Sequence, residues 1–167
     1  MSDSNIKCVT MVTVFGVLIE EGSILLIRRA KNPYIGMCTV PGGHKRHGEI
    51  LKDAAVREMT EETGLTLRDP KLCGHLEVHI EGDERDFLSV YFRFGQYSGS
   101  LRESDEGPLF WLPLSEVPKT PNLHPAFMAL APYFQDVGCF FAGHAKVNTS
   151  GQGSYDVESI KIQGPWK

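Results

Sequence analysis

Glu58, Glu61 and Glu62 crowd three carboxylates into one short stretch, Arg57-Glu58-Met59-Thr60-Glu61-Glu62-Thr63-Gly64-Leu65. A helix turns about 100° per residue, so on a helix the three fall within about 100° of arc. Like charges three and four residues apart destabilise a helix by a few tenths of a kcal/mol per pair. Leu51, Ala55, Glu58, Glu62 and Leu65 also follow the spacing of an apolar seam, so two of the glutamates stand where core residues would otherwise sit. An inward-facing carboxylate needs a compensating partner, and a hard divalent cation is the natural one.

The wider segment from Gly43 to Leu65, GHKRHGEILKDAAVREMTEETGL, carries a fixed pattern. Gly43, Glu49, Arg57, Glu58, Glu61, Glu62 and Gly64 match the box G-x5-E-x7-R-E-U-x-E-E-x-G-U, and Met59 and Leu65 fill its two bulky apolar positions, U. At roughly one in fifteen per fixed residue, seven matches arise by chance about once in 10⁸ windows. On these residues the chain resembles the Nudix hydrolases. The resemblance implies an α+β chain with the Nudix fold: a mixed β-sheet sandwiched between α-helices, with the box as a loop–helix–loop. It also implies a reaction, hydrolysis of a nucleoside diphosphate linked to another group, assisted by Mg²⁺ or, in its place, Mn²⁺.

By the same resemblance Glu58, Glu61 and Glu62 are the metal ligands, joined by the backbone carbonyl of Gly42. Either Glu61 or Glu62 also handles the proton of the attacking water. Glu49 and Arg57 read as structural, an ion pair that pins the loop against the helix. Gly43 suits a tight turn that a side chain would block, and Gly64 suits a helix C-cap at positive φ. Family members often take a second proton acceptor from the loop before a W-x-P-L strand, here Phe110-Trp111-Leu112-Pro113-Leu114. Glu106 is the first choice there and Glu103 the second, with a solvated acidic loop as the alternative. Arg28 and Arg29 end a strand and face opposite ways, so at most one reaches a phosphate. Arg28 is favoured, against a plain surface arginine.

The elements that must hold these residues are legible from pattern. Residues 9–20 and 23–29 read as two branched-residue strands, residues 37–41 as an extended entry to the glycine turn, and 49–63 as the helix. Strands follow at 72–81, 86–97 and 110–114. Leu76, Val78 and Ile80 share one face of the first of these, and Leu88, Val90, Phe92 and Phe94 share one face of the second. Residues 122–136 read as a helix that Pro125 suits at its first turn and Pro132 shortens or kinks. Strands at 139–147 and 155–163 complete a C-terminal hairpin, and the whole chain, 1–167, reads as one domain.

Composition narrows the function. Net charge is −4 and pI about 5.9, which gives no general attraction for a nucleic-acid polymer. No signal peptide or membrane span is apparent, and Cys8, Cys38, Cys73 and Cys139 are too scattered for a zinc site or a disulfide framework. The expectation is a cytoplasmic enzyme with reduced thiols and a small nucleotide as its partner. The tail from Gln152 to Trp166, with apolar residues on an exposed-looking hairpin, is a candidate homodimer surface. The loop His44, Lys45, Arg46, His47 reads as solvated rather than phosphate-binding, and His75 and His79 as an exposed polar face rather than a metal site.

The leaving group is less legible. Dinucleoside polyphosphate hydrolases of the family tend to place a Tyr about 17 residues past the box, and ADP-ribose hydrolases a Pro about 15 past it; this chain has Glu81 to Arg85 and Ile80 there. The W-L-P-L strand, the helix-like stretch and Cys139-Phe140-Phe141-Ala142-Gly143 are similar to MutT-type nucleoside triphosphatases. That similarity implies hydrolysis of a triphosphate such as dGTP or 8-oxo-dGTP to the monophosphate and pyrophosphate, with Asn122 and His124 as base contacts. Phe140 and Phe141 alternate sides of a strand, so one is a stacking candidate, with core packing as the alternative. An ADP-ribose or nucleotide-sugar pyrophosphatase is the second reading, and a nucleotide-sensing module without catalysis the third. One departure stands in the run before the box: Cys38 occupies the place where related sequences carry Trp.

Overall fold

The fold is built on the long first strand. A computed structural model describes residues 9–136, 138–149 and 155–166; Cys8 and most of the expected turn of the tail hairpin lie outside the described residues. The elements run β1 (Val9–Glu20), β2 (Ser23–Arg28), β3 (Cys38–Thr39), β4 (Gly42–His44), α1 (Leu51–Thr63), β5 (Thr66–Glu81), β6 (Arg85–Ser98) and β7 (Leu109–Pro113). A 3-10 segment (Leu114–Lys119), α2 (Pro125–Phe134), β8 (Phe140–Thr149) and β9 (Tyr155–Trp166) follow. The sheet is mixed, in the order β3-β2-β1-β6-β5-β8-β9, with β4 added to β1 and β7 to β2.

β1 runs parallel to β6 from Val9↔Arg85 to Leu18↔Phe94. Its other edge takes β4 in the middle, through Thr13↔His44, Val14↔Gly43 and Phe15↔Gly42, and β2 at its end. The glycine turn is therefore part of the sheet, tied by Gly16 N–H to the Pro41 carbonyl at 2.9 Å and by Lys45 N–H to Val12 at 3.0 Å.

Alternation along the strands splits the core into two layers. Val14, Leu18, Val90, Phe92 and Phe94 pack under α1, which contributes Ala54, Ala55 and Met59. Val17, Tyr91, Leu76 and Phe141 pack under α2, which contributes Phe127, Leu130 and Phe134. The mixed sheet between helices is thus present as the sequence resemblance implies.

Most element boundaries differ from the sequence reading by a few residues, and at three elements the cause is visible. α1 starts at Leu51 rather than Glu49, because Ile50 is extended as the N-cap and Glu49 is held by side-chain bonds instead. α2 spans ten residues rather than fifteen: Pro125 opens it, and with Pro132 inside it the helix stops two residues later. β5 begins at Thr66 rather than Leu72, since its ladder with β6 continues through Pro70 to Thr66↔Ser98. Among the described residues no helix is long and apolar enough to cross a membrane. Cys38 and Cys73 carry buried free thiols.

Gly64 ends α1 in the left-handed region at φ 72°, with its N–H bonded to the Thr60 carbonyl. A side chain there costs about 1–2 kcal/mol of backbone strain, and its Cβ would stand 2.9 Å from Arg102 Nε. Gly64→Ala is therefore expected to lower unfolding free energy by about 1–2 kcal/mol in urea denaturation, with the far-ultraviolet spectrum unchanged.

Candidate functional site

Two carboxylates of α1, Glu58 and Glu62, lie against the glycines of β4. A Cβ on Gly43 would lie 2.5 Å from Glu58 Oε2, so a side chain there would displace the Glu58 carboxylate from its place beside β4. Glu62 is 7% exposed and its Oε2 accepts the Gly42 N–H at 3.0 Å. Burial, reinforced by the charges of Glu58 and Glu106, pushes its carboxyl up to about 8; the Gly42 bond and Arg29 pull the other way without prevailing.

Arg57 is the organising cation. Its Nε and one terminal nitrogen hold Glu49 in a two-pronged pair at 2.8 and 2.9 Å, with both side chains only 16% exposed. That terminal nitrogen also donates to the His44 carbonyl, and the other donates to Glu58 at 2.6 Å and Glu61 at 3.2 Å. The hydrogen bonds from Arg57 and from the Arg46 N–H hold the Glu49 carboxyl down at about 2. Glu61, at the surface, is shared with Arg46 at 3.1 Å.

Among the described residues no three His, Cys, Asp or Glu side chains converge on one point, because Glu58 and Glu61 are turned toward arginines. The donor set nonetheless suits a hard cation. It is all oxygen, and the buried Glu62 feels two neighbouring carboxylates that its surroundings do not balance.

The cluster forms one end of a cavity of about 770 Å³ that runs over the sheet beneath α2. Of the two strand-end arginines, Arg29 lines it and Arg28 does not. The preference for Arg28 is therefore corrected. Arg28 is the last residue of β2 and exposed, whereas Arg29 is half-buried, its Nε bonded to the Pro33 carbonyl at 2.7 Å. Glu106 lines the cavity and accepts from Lys31 at 2.6 Å; Glu103 is exposed and outside it. Asn122 is likewise corrected. It is an exposed turn residue at φ 61° whose carbonyl accepts the Cys38 N–H, and it lies off the cavity wall.

His124 does line the cavity. It caps α2, with Nδ1 accepting the Ala126 N–H at 3.2 Å, so its proton sits on Nε2. Burial first, and Arg29 second, push it down to about 4, so the ring is neutral at pH 7. Tyr34 meets it edge-on at 4.3 Å. Phe141 is fully buried in the core, Phe140 lies beside His75 and Trp166, and neither lines the cavity. Cys38 packs in the α2-side core, and the next residue, Thr39, reaches the cavity.

Several lining residues escaped the sequence reading. Phe15 stacks on Tyr91 at 5.2 Å, and the buried hydroxyls of Thr13 and Ser89 meet at 3.0 Å. Alternation was the available signal: both pairs lie on the faces of β1 and β6 opposite Val14 and Val90.

Residues 9–134 match the NUDIX domain family model. The chain is 34% identical over 95 residues to an ADP-ribose pyrophosphatase from Methanocaldococcus jannaschii, covering 57% of this chain and 56% of that one. It is 31% identical over 113 residues to an oxidized purine nucleoside triphosphate hydrolase from Danio rerio, covering 67% and 69%. The fold matches a mutator MutT protein from Bacillus halodurans with a TM-score of 0.76 at 22% identity, over 92% of this chain and 97% of that one. The chain thus spans only about half the length of the M. jannaschii relative.

The raised Glu62 carboxyl has a consequence for stability. Its folded value, about 8, exceeds the ordinary 4.5, so its contribution is complete below pH 4.5 and is lost as pH rises toward 8. With divalent metal chelated, Glu62→Gln should be more stable than the parent at pH 8.5, by an amount on the order of a few kcal/mol. The advantage should vanish near pH 4.5. Paired thermal melts across that range measure it; a pH-independent difference would refute the assignment.

Proposed function

The chain belongs to the Nudix hydrolase family, and on that premise we propose that it hydrolyses a nucleoside triphosphate to the monophosphate and pyrophosphate. The observation that carries this is one continuous cavity, with carboxylates and Arg29 at one end and an aromatic, largely uncharged floor beyond them. A charged phosphate chain suits the first part and a flat neutral base the second. The oxidized purine nucleoside triphosphate hydrolase among its relatives supports the same reading.

Glu58, Glu61 and Glu62, with the Gly42 carbonyl, would hold Mg²⁺ or Mn²⁺. When bound, such an ion neutralises phosphate oxygens and lowers the pKa of water. The protein's own part is to position and to move a proton. Water attacks a phosphorus of the α–β anhydride, the bond from that phosphorus to the bridging oxygen breaks, and the proton of the water passes to a carboxylate. Glu61 and Glu62 are both candidates for that acceptor, and Glu106, facing the same end of the cavity, is a third. Arg29 offers its guanidinium to phosphate, and His124 offers its Nε2–H to the base. Residues 1–167 act as one domain, since the eight-position pairing of β8 with β5 makes the tail hairpin an extension of the same sheet. We place the enzyme in the cytoplasm, and the β9 edge is its candidate homodimer surface.

A second reading, ADP-ribose hydrolysis, is favoured by the M. jannaschii relative. A nucleotide sensor without catalysis is disfavoured because every glutamate of the box is retained. A panel of dGTP, 8-oxo-dGTP, ADP-ribose, a sugar nucleotide and a dinucleoside tetraphosphate, with Mg²⁺ and with EDTA, separates these readings by product. Mononucleotide plus pyrophosphate from a triphosphate is expected, and cleavage of ADP-ribose alone would shift the assignment to the second reading. Glu58→Gln and Glu62→Gln should each lower kcat by about 10²-fold or more while circular dichroism remains native. Parental activity in either variant would sink the metal-ligand assignment.

A further inference from the structure

The cavity extends well past the carboxylates. Register places Thr13, Ser89 and Leu76 in one row across β1, β6 and β5, and Phe87, Val78, Ala145 and Ile160 in the next row, across β6, β5, β8 and β9. From β1 to β9 the sheet crosses four strand spacings of about 4.8 Å, so its floor spans about 19 Å. The two halves of this floor differ in chemistry. Near β1 lie the Thr13–Ser89 hydroxyl pair, His44 and the carboxylates; toward β9 the wall is Val78, Ile80, Ala145, Val147, Val157 and Ile160. Arg85 is the charged side chain on that side, and it is held in a two-pronged pair with Asp83 at 2.7 and 2.9 Å. Four of the six aliphatic residues belong to β8 and β9, which lie outside the stretch that matches the family model.

Resting on the triphosphate reading above, we propose that this distal aliphatic wall is a subsite for an apolar substituent on the substrate's base, and that the β8–β9 hairpin sets the preference. A polar or charged group carried there would leave water without gaining a hydrogen-bonding partner from the aliphatic side chains, which disfavours it. A methyl or larger alkyl group leaves water at a gain. The Thr13–Ser89 pair marks the border. Two hydroxyls bonded to each other use one hydrogen between them, so the second remains available to a ring atom of the base.

The test compares dCTP with 5-methyl-dCTP, dATP with N6-methyl-dATP, and dGTP with O6-methyl-dGTP, with steady-state kinetics on each. In at least one pair the methylated nucleotide should show kcat/KM higher by roughly fourfold or more per methyl buried, expressed in KM. In Val157→Thr/Ile160→Thr that ratio should fall toward one, with folding checked by thermal melt. The parent's ratios stand as a test even if the double variant does not fold. Ratios at or below one in all three pairs, with the unmodified nucleotides hydrolysed, would overturn the subsite alone. No hydrolysis of any triphosphate would overturn both the subsite and the reading beneath it.

Discussion

The Arg57 guanidinium is the interaction on which the rest of the site depends. A helix that presents Glu58, Glu61 and Glu62 on one side carries like charges at the spacing that most disfavours it. Arg57 answers by bonding two of them, by clasping Glu49 from the preceding loop and by reaching the His44 carbonyl on β4. One cation thus joins loop, helix and strand. Because Arg57 and Glu49 are 16% exposed, their pairing is shielded from the solvent that weakens ordinary surface ion pairs. Glu62 alone of the four box glutamates accepts nothing from Arg57, and it is the one whose carboxyl is driven up.

That arrangement works only if helix and glycine turn stand at a fixed separation, and β1 supplies it. The strand lies under α1 on one face and bonds β4 along its edge, so the Gly42 N–H and the Glu62 carboxylate are carried by elements keyed to the same backbone. Gly43 matters here through the close approach it permits to Glu58. A rigid sheet edge rather than a free loop therefore sets the position of the Gly42 carbonyl, which would suit the proposed ligand set.

The opposite face of the same sheet makes the cavity. Its walls come from far apart in the chain: the loop after β2, the loop before β7, the cap of α2 and the tail hairpin. Lys31 joins two of them by bonding Asp105 and Glu106. Asp105 is exposed and Glu106 is only half-buried, so this contact contributes orientation more than stability. A neutral His124 at the helix cap and the stacked Phe15–Tyr91 pair leave the middle of the cavity uncharged.

What was legible in the sequence was local. The box matched because its fixed residues sit on one loop and one helix, where spacing along the chain equals spacing in space. Strand faces were legible because alternation reports burial, as with Val90, Phe92 and Phe94 on one face of β6. Three further matters were decided only by tertiary structure. Arg28 and Arg29 differ by one residue, and β2 had to end where it does before Arg29, not Arg28, turned to the cavity. Asn122 and His124 lie two residues apart, yet a left-handed turn put the first outside while the α2 cap brought the second in. Thr13 and Ser89, 76 residues apart, meet because β1 and β6 run parallel in one register. The sequence by itself determined the box and its cluster of carboxylates, since charge and spacing are local properties. Which neutral residues surround them waited on strand pairing, which joins distant segments through backbone hydrogen bonds that carry no residue signature.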